Sequence, residues 1–215
     1  MIPRCAMVSC LLLHSVGCRY APRAPEDDPA LRTQLLQRAA RDQELRRSLE
    51  VADGAEMMAL LHQVEAVDRD NTTWLRSVVD RRGWPGRSLV GNDGSEAAWL
   101  LVQHADADPS FQEHVLSLLS GLAAEGEVAK PHLAYLTDRV RHQQGEPQLY
   151  GTQYSAEQDA AGVTRWLPPR VEAPAELDAR RAAMGLGPWK EYEARMAKSQ
   201  GRAAFSWPRG PHGPD

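Results

Sequence analysis

Between residues 29 and 143 the apolar residues keep returning at intervals of three and four, and that spacing commits the chain to amphipathic helices. Leu31, Leu35, Leu36, Leu45 and Leu49 mark the first helix, over 29–51, with arginines on its other faces. Asp53-Gly54 breaks it. The spacing predicts a short second helix over 55–67 and a third that Asp70 or Asn71 can cap, carrying Trp74, Leu75, Val78 and Val79 to a stop at Gly83. Residues 84–95, WPGRSLVGNDGS, are punctuated by Pro85, Gly86, Gly91 and Gly94 and read as an ordered loop, after which Ser95 caps a helix holding AWLLVQHAD. Asp108-Pro109 starts the next helix, to about Ala124, because the acid accepts from free N–H groups and proline lacks the one it would leave unpaired. Pro131 opens another, ending at Gly145.

The pattern then changes. Residues 147–154 and 163–172 read as extended, pairing as a short hairpin or lying across the bundle, and Pro168-Pro169 argues against a central strand. Two short helical stretches, 175–186 and 188–197, precede a Gly/Pro-rich tail. The expected fold is mainly α: a helical bundle-like domain over 30–200 with a short extended segment or hairpin near 147–172, and a flexible tail over 201–215.

Ahead of that domain, residues 1–18 have the form of an export signal, and SVGC resembles a lipobox that would anchor the chain to a membrane through a lipidated Cys18. Residues 19–29 read as a linker. This places the protein in the cell envelope or outside the cell, or in the cytoplasm if the start is misassigned. The three cysteines, 5, 10 and 18, all fall in the first segment, so the body can build neither a disulfide framework nor a thiolate metal site. With 25 basic and 29 acidic residues intermixed there is no cationic face for nucleic acid.

The residues that need explaining are polar ones set against apolar stripes. On the helix through AWLLVQHAD, Ala98, Leu101, Val102 and Ala105 form the buried face, Gln103 and Asp106 flank it, and Leu100 and His104 lie opposite, so Gln103 or His104 is at least partly buried and needs a partner. His104 beside Asp106 suits a general acid/base or a divalent-cation ligand pair, though no specific metal spacing such as HExxH occurs. Over 131–143, Leu133, Leu136 and Val140 mark the core, flanked by Asp138 on one side and Tyr135 and Arg139 on the other. Asp138 and Arg139 read equally as an ordinary ion pair with neighbours. As a planar fork of donors, Arg139 also suits an anionic group. Gln148, Tyr150, Thr152 and Gln153 then crowd hydrogen-bonding side chains into a short Gly-containing stretch, which a solvated hairpin face would also explain.

Asp70-Asn71, GWP, AWLLVQHAD, Phe111-Gln112, LAYLTDRV and PQLYGTQ occur in an order that resembles the bacterial family of unknown function DUF6624, over roughly residues 65 to 195. The resemblance implies that His104, Asp106, Gln112, Asp138, Arg139, Gln148, Tyr150 and Gln153 match the family's polar positions, and it implies no activity. The leading reading is a cofactor-independent hydrolase or other acid/base enzyme acting on a small molecule or peptide. In it His104 is the general acid/base, Asp106 or Asp138 the orienting carboxylate, and Arg139 an anion contact. Gln103, Gln112, Tyr135, Gln148, Tyr150, Thr152 and Gln153 hold substrate in this scheme. No organic cofactor is expected, and a divalent metal at His104 and Asp106 is compatible with the pattern. A non-catalytic envelope module that binds a ligand or another protein is the alternative.

Overall fold

The computed structural model describes residues 27–158 and 164–199. The expected export signal over 1–18, most of the expected linker and the expected tail lie outside these described residues. Seven α-helices, one 3-10 turn and a two-stranded hairpin are found among them, so the mainly helical bundle with a short hairpin is the observed fold.

Helix α1 (Pro29–Leu49) opens with Asp28 accepting the Leu31 N–H at 2.8 Å and with Pro29 in the first turn, where a missing N–H removes no bond. Its buried stripe is Leu31, Leu35, Ala39 and Leu49, and Asp42 falls in the same register. Helix α2 (Gly54–Arg82) is one continuous helix of 29 residues where two were expected. The break at Asp70-Asn71 does not occur because α1 answers those side chains: Arg38 Nη1 donates to Asp70 Oδ2 at 2.6 Å and to Asn71 Oδ1 at 2.9 Å, and its guanidinium lies 4.5 Å from the Trp74 ring centre. Thr72 and Thr73 donate their hydroxyls back to the carbonyls of Asp68 and Arg69. With the Asp70 carboxylate, the Asn71 amide oxygen and the threonine hydroxyls engaged in this way, none of these residues has to end a helix.

Helix α3 (Arg87–Gln103) takes in most of the expected loop. Capping comes from a distant residue: Glu127 accepts from the Ser88 N–H and hydroxyl, each at 2.9 Å. Gly91 (φ 73°, ψ 174°) kinks the helix, and Ser95 sits inside it, donating its hydroxyl to the Glu127 carbonyl instead of capping. Helix α4 (Pro109–Ala124) starts as expected, with Asp108 accepting the Phe111 N–H at 3.2 Å. Helix α5 (Lys130–Gln143) follows. Strands β1 (Ser155–Gln158) and β2 (Thr164–Leu167) pair antiparallel with Ser155 opposite Leu167, and Gln148 bridges to Val171 in parallel. A 3-10 turn (Pro174–Glu176) leads to α6 (Leu177–Ala183) and α7 (Trp189–Ser199).

Helix α1 packs on α2 and α3, α4 packs on α5, and α3 touches all four of the others. The core follows: Ala98, Leu101, Val102 and Ala105 are buried, with Leu35, Leu75, Phe111, Val115 and Leu136 around them. No helix of the described residues is long and apolar enough to cross a membrane. Because the backbone at Gly91 lies in a region open only to glycine, Gly91→Ala is expected to lower stability by about 1–3 kcal/mol in urea denaturation while leaving helix content by circular dichroism close to native.

Candidate functional site

At the C-terminal end of α3 the buried stripe gives way to Gln103 and His104, and three helices meet there. His104 Nδ1 lies 3.0 Å from Asp42 Oδ1 on α1, and its side chain is 9 % exposed. Asp42 is 2 % exposed; Arg46 Nε donates to the same Oδ1 at 3.1 Å, and Gln43 Nε2 donates to Oδ2 at 2.8 Å. Arg46 Nη2 donates at 2.7 and 2.8 Å to both carboxylate oxygens of Asp68 on α2.

Burial works to raise the Asp42 pKa, but the His104 bond and the Arg46 charge hold it below the ordinary carboxylate range. Asp68 goes the other way: burial, together with the Asp42 carboxylate beside it, pushes it up to about 6 against the pull of Arg46. For His104 burial is the largest effect, and with the charges of Arg46 and Arg139 it holds the pKa below the ordinary 6.5 despite the Asp42 bond. The ring is therefore a neutral imidazole donating Nδ1–H to an ionised carboxylate, and Nε2 carries the lone pair with no hydrogen-bond partner among the described residues.

Asp42, Asp68 and His104 each offer a ligand atom, all within 4.8 Å of one another, so a His/Asp cluster able to coordinate a divalent cation is present. Its carboxylates come from α1 and α2. Asp106 has a different partner, Arg139, whose Nη1 donates to both of its oxygens at 2.7 and 2.8 Å. Gln103 Oε1 accepts from Arg139 Nε at 3.0 Å, Gln112 Nε2 reaches Asp106 Oδ1 at 3.3 Å and the Val102 carbonyl at 2.8 Å, and Gln143 Nε2 donates to Gln112 Oε1 at 2.7 Å. The fold thus brings Gln103, Asp106, Gln112 and Arg139 together next to His104.

Asp138 belongs to another network. It is 0 % exposed, and its carboxylate accepts from the N–H groups of Leu149 (2.8 Å), Tyr150 (3.1 Å) and Thr152 (2.8 Å) and from the Thr152 hydroxyl (3.0 Å). Burial lifts its pKa and the loop N–H groups oppose that, but every partner is a donor, so the loop is built around the ionised form. The loop carbonyls face the opposite way: Arg180 Nε donates to Leu149 O, Arg181 Nη1 to Tyr150 O, and the Tyr192 hydroxyl to Thr152 O. Gly151 needs its φ of 68°, and a Cβ there would lie 2.7 Å from the Trp189 ring. Gln148 and Gln153 close the loop on each other, Gln148 Nε2 donating to Gln153 O at 2.8 Å and Gln153 N–H to Gln148 Oε1 at 2.9 Å. The Tyr135 carbonyl meets Gln153 Nε2 at 3.5 Å and its ring stands edge-on to Trp99. Gln148, Thr152 and Gln153 are buried parts of this loop, so the carboxylate on His104 is Asp42, and neither Asp106 nor Asp138.

Asp42, Arg46 and Asp68 were not among the residues singled out from sequence. A signal existed: Asp42 continues the stripe Leu31, Leu35, Ala39, and Asp68 continues Val64 toward Leu75, each an acid at helical spacing on an apolar face.

A model of the family described as a family of unknown function (DUF6624) matches residues 29–203. The chain belongs to that family. The match reaches back through α1, so Asp42 and Asp68 lie inside the family region together with His104. No curated protein and no solved structure matches the chain.

Asp138→Asn, which turns an amide NH2 toward a ring of donors, is expected to lower stability by about 3 kcal/mol in urea and to expose the 148–153 loop to hydrogen exchange. A loss below about 0.5 kcal/mol would contradict the structural assignment of this acid.

Proposed function

We propose that this DUF6624 chain is an acid/base enzyme of the hydrolytic or proton-transfer kind, working without an organic cofactor, with His104 as the group that moves the proton. One observation carries the reading: His104 has Nδ1 fixed by a buried carboxylate and Nε2 left without a partner among the described residues. A general base needs a defined tautomer, a neutral ring at working pH and a lone pair facing reactant. Asp42 supplies the first, and burial with Arg46 and Arg139 supplies the second. In this scheme Nε2 takes a proton from a water or a substrate X–H, and Asp42 stabilises the imidazolium that forms. Arg139, beside it, stabilises negative charge on the reacting group, and Gln103 and Gln112 set the position of Arg139 and Asp106.

The alternative, a binding module without chemistry, draws on a different observation, namely that the Asp138 and Gln148 networks are saturated inside the fold. The two readings separate on a panel of acyl, phosphoryl and glycosyl ester substrates. The acid/base reading expects turnover of one class, reduced about 10²–10⁴-fold in His104→Gln with the melting temperature within a few degrees of native. No turnover of any class by the native chain, or equal turnover by His104→Gln, would favour the binding module.

A further inference from the structure

Asp106 is the loosely held member of the cluster around Arg139. Its side chain is 58 % exposed, against 15 % for Arg139, while Gln103 and Gln112 are fully buried. The donors that meet it are fixed from the protein side. Gln103 Oε1 holds Arg139 Nε at 3.0 Å. The Val102 carbonyl holds Gln112 Nε2 at 2.8 Å, and Gln112 Oε1 holds Gln143 Nε2 at 2.7 Å, which also points at Asp106 Oδ1 from 3.4 Å. Gln103 Nε2, turned from Arg139 by the orientation of its amide, is buried with no acceptor. A guanidinium and side-chain amides therefore converge on one planar carboxylate that enters from the solvent side.

Their energies are unequal. An ion pair with one partner this exposed contributes no more than about 1 kcal/mol, so Asp106 can rotate into solvent at small cost. With Asp106 turned out, Gln112 Nε2 and Gln143 Nε2 keep the Val102 carbonyl and Gln112 Oε1, and the carboxylate position at Arg139 Nη1 is open to another anion. We propose that Arg139, Gln112 and Gln143 form a binding site for a substrate carboxylate, and that Asp106 is its resident stand-in, displaced when the substrate group arrives. One nitrogen of Arg139, Nη1, reaches both carboxylate oxygens, and one cation with neutral amides suits a monoanion better than a dianionic phosphate. His104 directly follows Gln103, whose Oε1 holds Arg139, which gives the proposed enzyme a carboxylate-bearing substrate. Only the word substrate rests on the acid/base reading, since the donors bind a carboxylate whether or not His104 moves a proton.

The probe is acetate, titrated against chloride at constant ionic strength and followed by the melting temperature. Asp106→Ala removes the tethered competitor, so its melting temperature should rise saturably with acetate, with half-saturation at least tenfold lower than in the native chain. Adding Arg139→Gln to that variant should abolish the response, whereas adding His104→Gln should leave it in place, which separates this site from the fate of the acid/base reading. Where Asp106→Ala does not fold, Asp106→Asn keeps the shape without the charge and should show the same order of responses. The proposal is overturned if these Asp106 variants respond equally to acetate and chloride, if the response survives Arg139→Gln, if the native chain shows none at any acetate concentration, or if inorganic phosphate acts and acetate does not.

Discussion

The contact between Asp42 and His104 is where the packing of the first three helices and the chemistry of the site become one problem. A carboxylate that is 2 % exposed has lost its water, a loss worth several kcal/mol before compensation. Asp42 recovers it from the imidazole on α3, Arg46 on its own helix and the Gln43 amide. Arg46 in turn is turned toward α2 by Asp68. Shifting α1 by one residue would leave an unpaired charge in the core, so this polar chain fixes the register in which the apolar stripes of α1, α2 and α3 meet. The same register leaves His104 Nε2 without a hydrogen-bond partner among the described residues.

On α5, adjacent residues do unlike work. Asp138 faces the 149–152 loop and holds it through N–H donors, with α6 and α7 taking the loop carbonyls through Arg180, Arg181 and Tyr192. Arg139 faces the end of α3 and the start of α4, where it meets Gln103 and Asp106. One polar motif thus serves two purposes. The C-terminal part of the chain is tied to the bundle by Asp138, and the anion-facing side is built by Arg139.

How much of this could be read from the residues depends on whether a signal is local. Asp108-Pro109 carries its meaning within three residues, and the α4 start lies where it was expected. The buried face of α3, and that Gln103 or His104 needs a partner, follow from helical spacing alone. The continuity of α2 did not, because Asp70-Asn71 has the local form of a cap and only Arg38, on another helix, cancels it. The residues 87–90 were read as loop for a similar reason: their capping group, Glu127, is supplied from beyond α4. The partner of His104 is 62 positions away, and the two acids considered for it, Asp106 and Asp138, both lie nearer in the sequence. An acid standing in a leucine stripe was the available clue, and it pointed to α1.

Asp42 fixes His104 as a neutral Nδ1–H ring, and ¹⁵N resonances of the imidazole nitrogens in metal-free protein measure that state directly. The Nδ1–H tautomer is expected for His104 near neutral pH, with its loss in favour of Nε2–H or a tautomer mixture in Asp42→Asn. An Nε2–H tautomer or an imidazolium in the native chain, or a ring indifferent to Asp42→Asn, would contradict it.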